Sequence, residues 1–279
     1  MKTPGWRNAL LIFSILLTAS YNAQAVPLNG EESFIFRLGY FLPSFDTNLR
    51  VNNDQLGRGD EVNLEKELGI DAEETTIRGS VMWRISERNK LTLDVFNLNR
   101  TGTKTINREI QIGDQIYPVG ASLTSKFNFT IIPISWSYAF IKNPDWEVSA
   151  GAGLQWSVIN LKIDGSVSTS PISTSREATA DANAPLPLLG IDMKYYINPD
   201  WNVGANLGAF TYKVGAANMT MQGDILSAGA STEWWFSDYI GAGIAANWFF
   251  IGVTVDGSKW DGEFNYTYFG PQAFLSARF

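Results

Sequence analysis

The 279-residue chain contains no cysteine and no histidine. Without cysteine there is no disulfide framework and no thiolate metal site, and without either residue a zinc site has no sulfur or imidazole ligand. A histidine general base is excluded as well. Serine–lysine or paired-carboxylate chemistry remains compatible with the composition, but no nucleophile elbow or spaced dyad surrounds a candidate residue, so no enzymatic activity is expected. No cofactor motif is present. Beyond the N-terminus no stretch approaches ~18 uninterrupted apolar residues, so no helix of the mature chain is expected to span a bilayer. Basic residues are few. The 21 Lys and Arg against 28 Asp and Glu give a net charge of −7, and an acidic surface repels phosphate backbones, which argues against nucleic acid as a partner.

What is present begins with an export pattern. Lys2 and Arg7 form a short positive region, Ala9 to Ala19 is an apolar run broken by Ser14 and Thr18, and Ala23-Gln24-Ala25 is an A-x-A cleavage site. This predicts a secretory signal over 1–25. Its removal leaves 254 of the 279 residues and, with Lys2 and Arg7 gone, a net charge of −9. The full chain is rich in rings: 17 Phe, 10 Trp and 10 Tyr stand beside 25 Gly at a mean hydropathy of only −0.07. Alternation hides an apolar face in such an average, because polar residues facing a lumen cancel the apolar ones facing lipid.

Turn chemistry divides the chain. Asn143-Pro144-Asp145-Trp146 recurs as Asn198-Pro199-Asp200-Trp201, and Ser86-Glu87-Arg88-Asn89 and Ser237-Asp238 read as two more tight turns. Period-2 alternation runs between them. Ile35, Arg37, Gly39 and Phe41 oppose Phe34, Phe36, Leu38 and Tyr40. Arg78, Ser80 and Arg84 oppose Ile77, Val81 and Trp83, and Asp94 opposes Leu93 and Val95. Glu147, Asp192, Lys194 and Glu233 fall likewise on the mixed faces of later strands. The last strand sets Phe269, Pro271, Ala273, Leu275, Ala277 and Phe279 against Tyr268, Gly270, Gln272, Phe274, Ser276 and Arg278. Ten strands follow, all antiparallel, with eight and twelve still open. Four short turns and an even count place both termini at the short-turn, periplasmic end of an up-and-down transmembrane β-barrel over 26–279. Outer loops are expected at about 43–74, 101–120, 165–184, 215–220 and 256–262. Within them Glu61 to Leu68 reads as a short helix or a further strand, and Ile106 to Val119 as a hairpin around Gly113-Asp114.

A terminal strand ending in Phe279 resembles the signal that bacterial outer-membrane barrels present to their assembly machinery. With the signal sequence and the strand pattern, the chain resembles the small OmpA/OmpW-type (porin-like) outer-membrane barrels over 26–279. The resemblance implies a monomer in the Gram-negative outer membrane, with lipid and lipopolysaccharide as its surroundings. It also implies passive passage of small solutes, hydrophobic ones among them, as some OmpW-like barrels allow. The enzymes among such barrels resemble one another in using a catalytic histidine, which is missing here.

Two features bear on function. Arg37, Arg78, Arg84, Asp94, Glu147, Asp192, Lys194, Glu233 and Arg278 fall on lumen faces toward the short-turn end, predicting a mixed-sign charge layer. Such a layer either lines a gated pore or packs a closed lumen, since ten strands enclose little beyond their own side chains. The first outer loop is acidic, with Asp46, Asp54, Asp60, Glu61, Glu65, Glu67, Asp71, Glu73 and Glu74 against Arg50, Arg58 and Lys66. Oxygen ligands of this kind suit Ca²⁺ or Mg²⁺, but no 12-residue calcium loop is present and a solvated loop is the favoured reading of the run. The leading reading of the sequence is therefore a narrow porin-like channel for passive passage of small solutes, and the alternative is a closed barrel that displays its loops without transport.

Overall fold

The structure, a computed structural model, describes residues 30–52, 59–112, 115–169, 172–216, 219–257 and 261–279. The expected signal peptide at 1–25, together with Asp54, Arg58 and the tip Gly113-Asp114, lies outside these residues. The described chain comprises β1 (Phe34–Phe41), β2 (Ser44–Val51), β3 (Val62–Asn63), α1 (Leu64–Glu67), β4 (Thr76–Arg84), β5 (Asn89–Thr105), β6 (Ile110–Ile112), β7 (Gln115–Tyr117) and β8 (Ser122–Lys142). It continues with β9 (Trp146–Thr169), β10 (Ile172–Tyr196), β11 (Trp201–Ala216), β12 (Met219–Trp235), β13 (Ile240–Gly257) and β14 (Gly262–Arg278). Among the described residues, β1, β4, β5 and β8 to β14 form an antiparallel up-and-down ring that the β1–β14 pairing closes. Ten strands make the ring, and the eight- and twelve-strand alternatives fall away.

Alternation explains the wall. Ile35 and Phe41 are buried inside, while Leu38, Tyr40, Ile77, Trp83, Leu154, Leu189, Leu207, Ile244 and Leu275 stand exposed outside. In a soluble protein such a belt would be an aggregation surface; around a closed barrel it is the lipid-facing band. One irregularity interrupts the period: the β8–β9 register shifts between Ala139 and Ile141, so Phe140 and Ile141 both point outward.

The turns form for a stated reason. Asn143 Oδ1 accepts from the N–H of Asp145 (3.0 Å) and of Trp146 (2.8 Å), and Asn198 Oδ1 accepts from Asp200 and Trp201 (both 2.9 Å). Ser237 Oγ does the same for Ile240 at 2.9 Å. Asn143→Ala and Asn198→Ala are each expected to lower stability by about 1 kcal/mol, additively because the hairpins are separate; denaturant midpoints at an unchanged slope check this. Phe279 closes the ring. Its carbonyl accepts from Ser33 (2.7 Å) and Phe34 (2.9 Å), its N–H donates to Phe34 (2.9 Å), and its ring lies 6.0 Å from Phe36 and 6.4 Å from Tyr239. Trp201 stacks on Trp234 at 5.8 Å and Trp146 lies 4.6 Å from Tyr195, completing an aromatic girdle at the short-turn rim.

The long-loop end departs from expectation. Residues 43–74 are not one loop: after Leu42-Pro43, β2 continues along β14, and β3 and α1 follow. α1 starts on Asn63, whose side chain caps Lys66 N–H at 2.8 Å, and stops at Gly69, whose positive φ of 69° releases the chain. The hairpin within 101–120 forms as β6–β7. The segment 165–184 is strand almost throughout, because β9 and β10 stay paired up to Thr169 and Ile172. Its Ser/Thr/Ala composition reads as loop, yet a main-chain ladder above the lipid needs no apolar alternation. Strands β8 to β10 therefore rise far beyond an apolar band of ~25 Å.

Candidate functional site

The lumen is divided by height. Its short-turn half holds charge. Arg37 grips Glu233 with two hydrogen bonds, 2.9 Å to Oε1 and 3.1 Å to Oε2, and Ser276 Oγ donates to the same carboxylate at 2.5 Å, with Asn202 Nδ2 at 3.4 Å. Glu147, buried, bridges Arg84 at 3.0 Å and Lys90. Arg78 forms a fork on Asp94 at 2.7–3.0 Å, and its guanidinium lies 5.2 Å over Phe96 and 5.6 Å over Phe41. Asp192 and Lys194 face the same chamber, which has a volume of about 300 Å³, together with the amides of Asn206, Asn247 and Gln272. Lys194 Nζ stands 5.8 Å from the Tyr196 ring.

Eight of the nine residues expected in the charge layer thus line one chamber. Arg278 does not: it sits lower, where its guanidinium lies 4.3 Å over Trp235 and donates to the Asp238 carbonyl at 2.8 Å. A position at the very end of β14 puts it on the turn rather than in the layer. Sequence reasoning missed Lys90, Glu32 and the Asn202–Ser276 support of Glu233. Lys90 shares the parity of Asp94, but the alternation reads clearly only from Leu91, one residue later, whereas β5 begins at Asn89. Glu32, buried beside Arg84, precedes the first strand and carries no periodic signal.

The long-loop half is apolar. Phe41, Phe45, Phe96, Phe127, Phe129, Phe249, Tyr266 and Tyr268 point inward with Ile131, Ile225 and Ile251. Val62, Leu64, Leu68 and Ile70 descend onto them from the first loop, and Ile106, Ile110 and Tyr117 from the β6–β7 hairpin. The rings pack both ways, Phe129 edge to face on Tyr266 at 5.0 Å and Phe249 stacked on Tyr268 at 5.3 Å. A hydrophobic core of the kind soluble domains build therefore fills the bore above the chamber.

One cation lies inside that core. Arg100 on β5 is fully buried and bonds Glu65 of α1 (2.6 Å), Thr47 Oγ1 (2.9 Å) and the Asp71 carbonyl (3.2 Å), while its guanidinium lies 4.2 Å from the Phe45 ring and 4.9 Å from Phe127. Glu65 Oε2 also accepts from Thr47 N–H at 2.8 Å. Three further loop acids are paired nearer the surface: Glu61 with Arg50 (2.7 Å), Glu67 with Arg108 (2.5 Å), and Asp60 with Arg108 (3.4 Å). No cluster of three acidic groups suited to a metal occurs among the described residues. Within the acidic run it is Glu65 that pins the first loop into the bore.

Neither a protein-family model nor a curated protein matches the chain. Among solved structures it is similar to the outer membrane protease OmpT from Escherichia coli, at a TM-score of 0.58 and 10% identity over 92% of this chain and 99% of that one. It is also matched to the toluene transporter TodX of P. putida (TM-score 0.38, 9% identity, 88% of this chain and 90% of that one) and to Ail of Yersinia pestis (TM-score 0.30, 10% identity, 88% and 97%). Identities this low speak to architecture alone, and the architecture is that of a small outer-membrane β-barrel.

Proposed function

We propose that this chain is an integral barrel of the Gram-negative outer membrane, shut to solutes at rest, which acts through the surface it raises at its long-loop end. One observation carries the reading: a packed apolar core with an inserted loop segment occupies the bore from Phe96 upward. Both termini then lie in the periplasm, lipopolysaccharide surrounds the upper belt, and Phe279 presents the last strand to the assembly machinery. No catalytic role belongs to this reading: Arg37–Glu233, Arg78–Asp94 and Arg84–Glu147 are spent on ion pairs within the chamber. In planar bilayers the purified protein is expected to give no conductance steps; steady single-channel steps from the wild type would overturn it.

A second reading, a narrow gated passage for small solutes, some of them hydrophobic, draws on the chamber of about 300 Å³ below the core. It requires the segment around α1 to move, and the Arg100–Glu65 pair is what holds that segment down.

A further inference from the structure

Among the described residues the barrel wall parts twice at the long-loop end, and a main-chain bridge spans one of the gaps. β4 stops at Thr76, so the edges of β2 and β5 stand apart above it. An extended stretch of the first loop bridges them: Phe45 N–H donates to Ala72 O (2.8 Å), Glu74 N–H to Pro43 O (3.4 Å) and Asp71 N–H to Thr101 O (3.1 Å), and Ile70 pairs with Gly102. The second gap lies between β10 and β11. Their ladder runs from Tyr196↔Asn202 to Leu189↔Ala209 and ends, although β10 continues on β9 and β11 continues on β12.

The cause can be read from the backbone. In an antiparallel strand both main-chain groups of a residue face one neighbour, and successive residues alternate. Tyr196 N–H donates to Asp145 O beside β9 (2.8 Å), and Ile197 N–H donates to Trp201 O on the β11 side (2.9 Å). The β9–β10 register has no shift, so Leu189 and then residues 187 and 185 aim at β11. Those two are Pro187 and Pro185, which have no N–H to give. On the facing lip the same alternation aims N–H and C=O of Thr211, Lys213 and Gly215 into the gap. The outward face there is already polar, with Thr211 Oγ1 bonding Asp224 at 2.8 Å, so the slot opens above the apolar band.

We propose that this slot receives an extended segment of a partner polypeptide. The segment adds a strand to the β11 edge and turns its own N–H groups to the carbonyls of Pro185 and Pro187, as residues 70–74 already do for the other gap. The proposal rests on the closed-barrel reading and identifies the kind of partner its surface takes.

The test uses the refolded full chain and a labelled synthetic copy of residues 182–189 carrying Pro185→Thr and Pro187→Thr, which restores the two missing donors. Saturable binding is expected. The copy that keeps both prolines should bind roughly 5- to 150-fold more weakly, the worth of two main-chain hydrogen bonds. Introducing Pro185→Thr with Pro187→Thr into the protein should zip β10 to β11, slow hydrogen exchange at Thr211, Lys213 and Gly215, and abolish binding. Equal binding of the two peptides, binding that survives in the variant, or no binding at all would overturn the proposal. Self-association of the wild type that the variant abolishes would overturn it in favour of a second copy of this chain. A barrel that conducts yet binds the peptide refutes only the closed reading, and a silent barrel that does not bind refutes only the slot.

Discussion

Replacing Arg100 with leucine is expected to cost about 3–5 kcal/mol of stability, more than any surface change in this chain. The side chain has no exposed area and lies over Phe45, Phe127 and Tyr266, and its removal leaves the buried Glu65 carboxylate with only the Thr47 N–H as donor. A desolvated carboxylate without its cation is the most expensive group this core can contain. The expected readout is a large fall in the guanidinium midpoint in detergent micelles. Arg100→Lys should recover a minority of the loss, because an ammonium cannot span Glu65, Thr47 and the Asp71 carbonyl as the planar fork does. Combining Arg100→Leu with Glu65→Leu should restore more than half of it, since removing both charges leaves only neutral groups, Thr47 N–H, Thr47 Oγ1 and the Asp71 carbonyl, short of a partner. If the single variant loses under 1 kcal/mol, the pair does not pin the first loop. Conductance of the same variant separates the two functional readings: silence favours the closed barrel, whereas steps that the double variant abolishes favour a gated passage.

The barrel was readable in the sequence because its strands obey a strict period. Phe34, Leu38 and Tyr40 against Ile35, Arg37 and Phe41 fix the facing of β1 without any tertiary information, and the repeated Asn-Pro-Asp-Trp turns fix the hairpins. The charge layer followed from the same parity, so its members Arg37, Arg84, Asp94, Lys194 and Glu233 were found, while their pairing was not. Pairing depends on which strands meet across the bore, and period says nothing of that. The plug was invisible for a related reason. Arg100 continues the inward parity of Asp94, Phe96 and Leu98, but its partner Glu65 sits on one turn of helix inside an acidic run that looks solvated. Composition misled in the tall hairpin too. Ser, Thr and Ala over 165–184 have no apolar alternation because that wall faces water, not lipid, and only the ladder to β9 reveals a strand.

Glu147→Gln is the second change expected to have a large effect, again about 3–5 kcal/mol, and it reports on the chamber rather than on the plug. Glu147 is the shared counter-charge of Arg84 and Lys90, so its neutralisation leaves two cations side by side with no anion between them. Arg84 cannot turn away, because its Nε and Nη1 are tied to the carbonyls of Glu32 and Glu87 at 3.3 Å. A small anion is the natural replacement, and whether one can enter depends on the short-turn mouth. There Trp235, Tyr196 and Glu32 are 3%, 6% and 2% exposed, and Arg278 lies flat over the Trp235 ring. With that mouth closed and the apolar core above, chloride should not reach the pair. The stability deficit of Glu147→Gln is therefore expected to stay within ~0.5 kcal/mol between about 0.05 and 0.5 M sodium chloride, as buried charges are screened far less than exposed ones. A deficit that shrinks by more than half over this range would show that the chamber communicates with bulk solvent from the short-turn side. That would move the boundary of the closed lumen up to the plug alone.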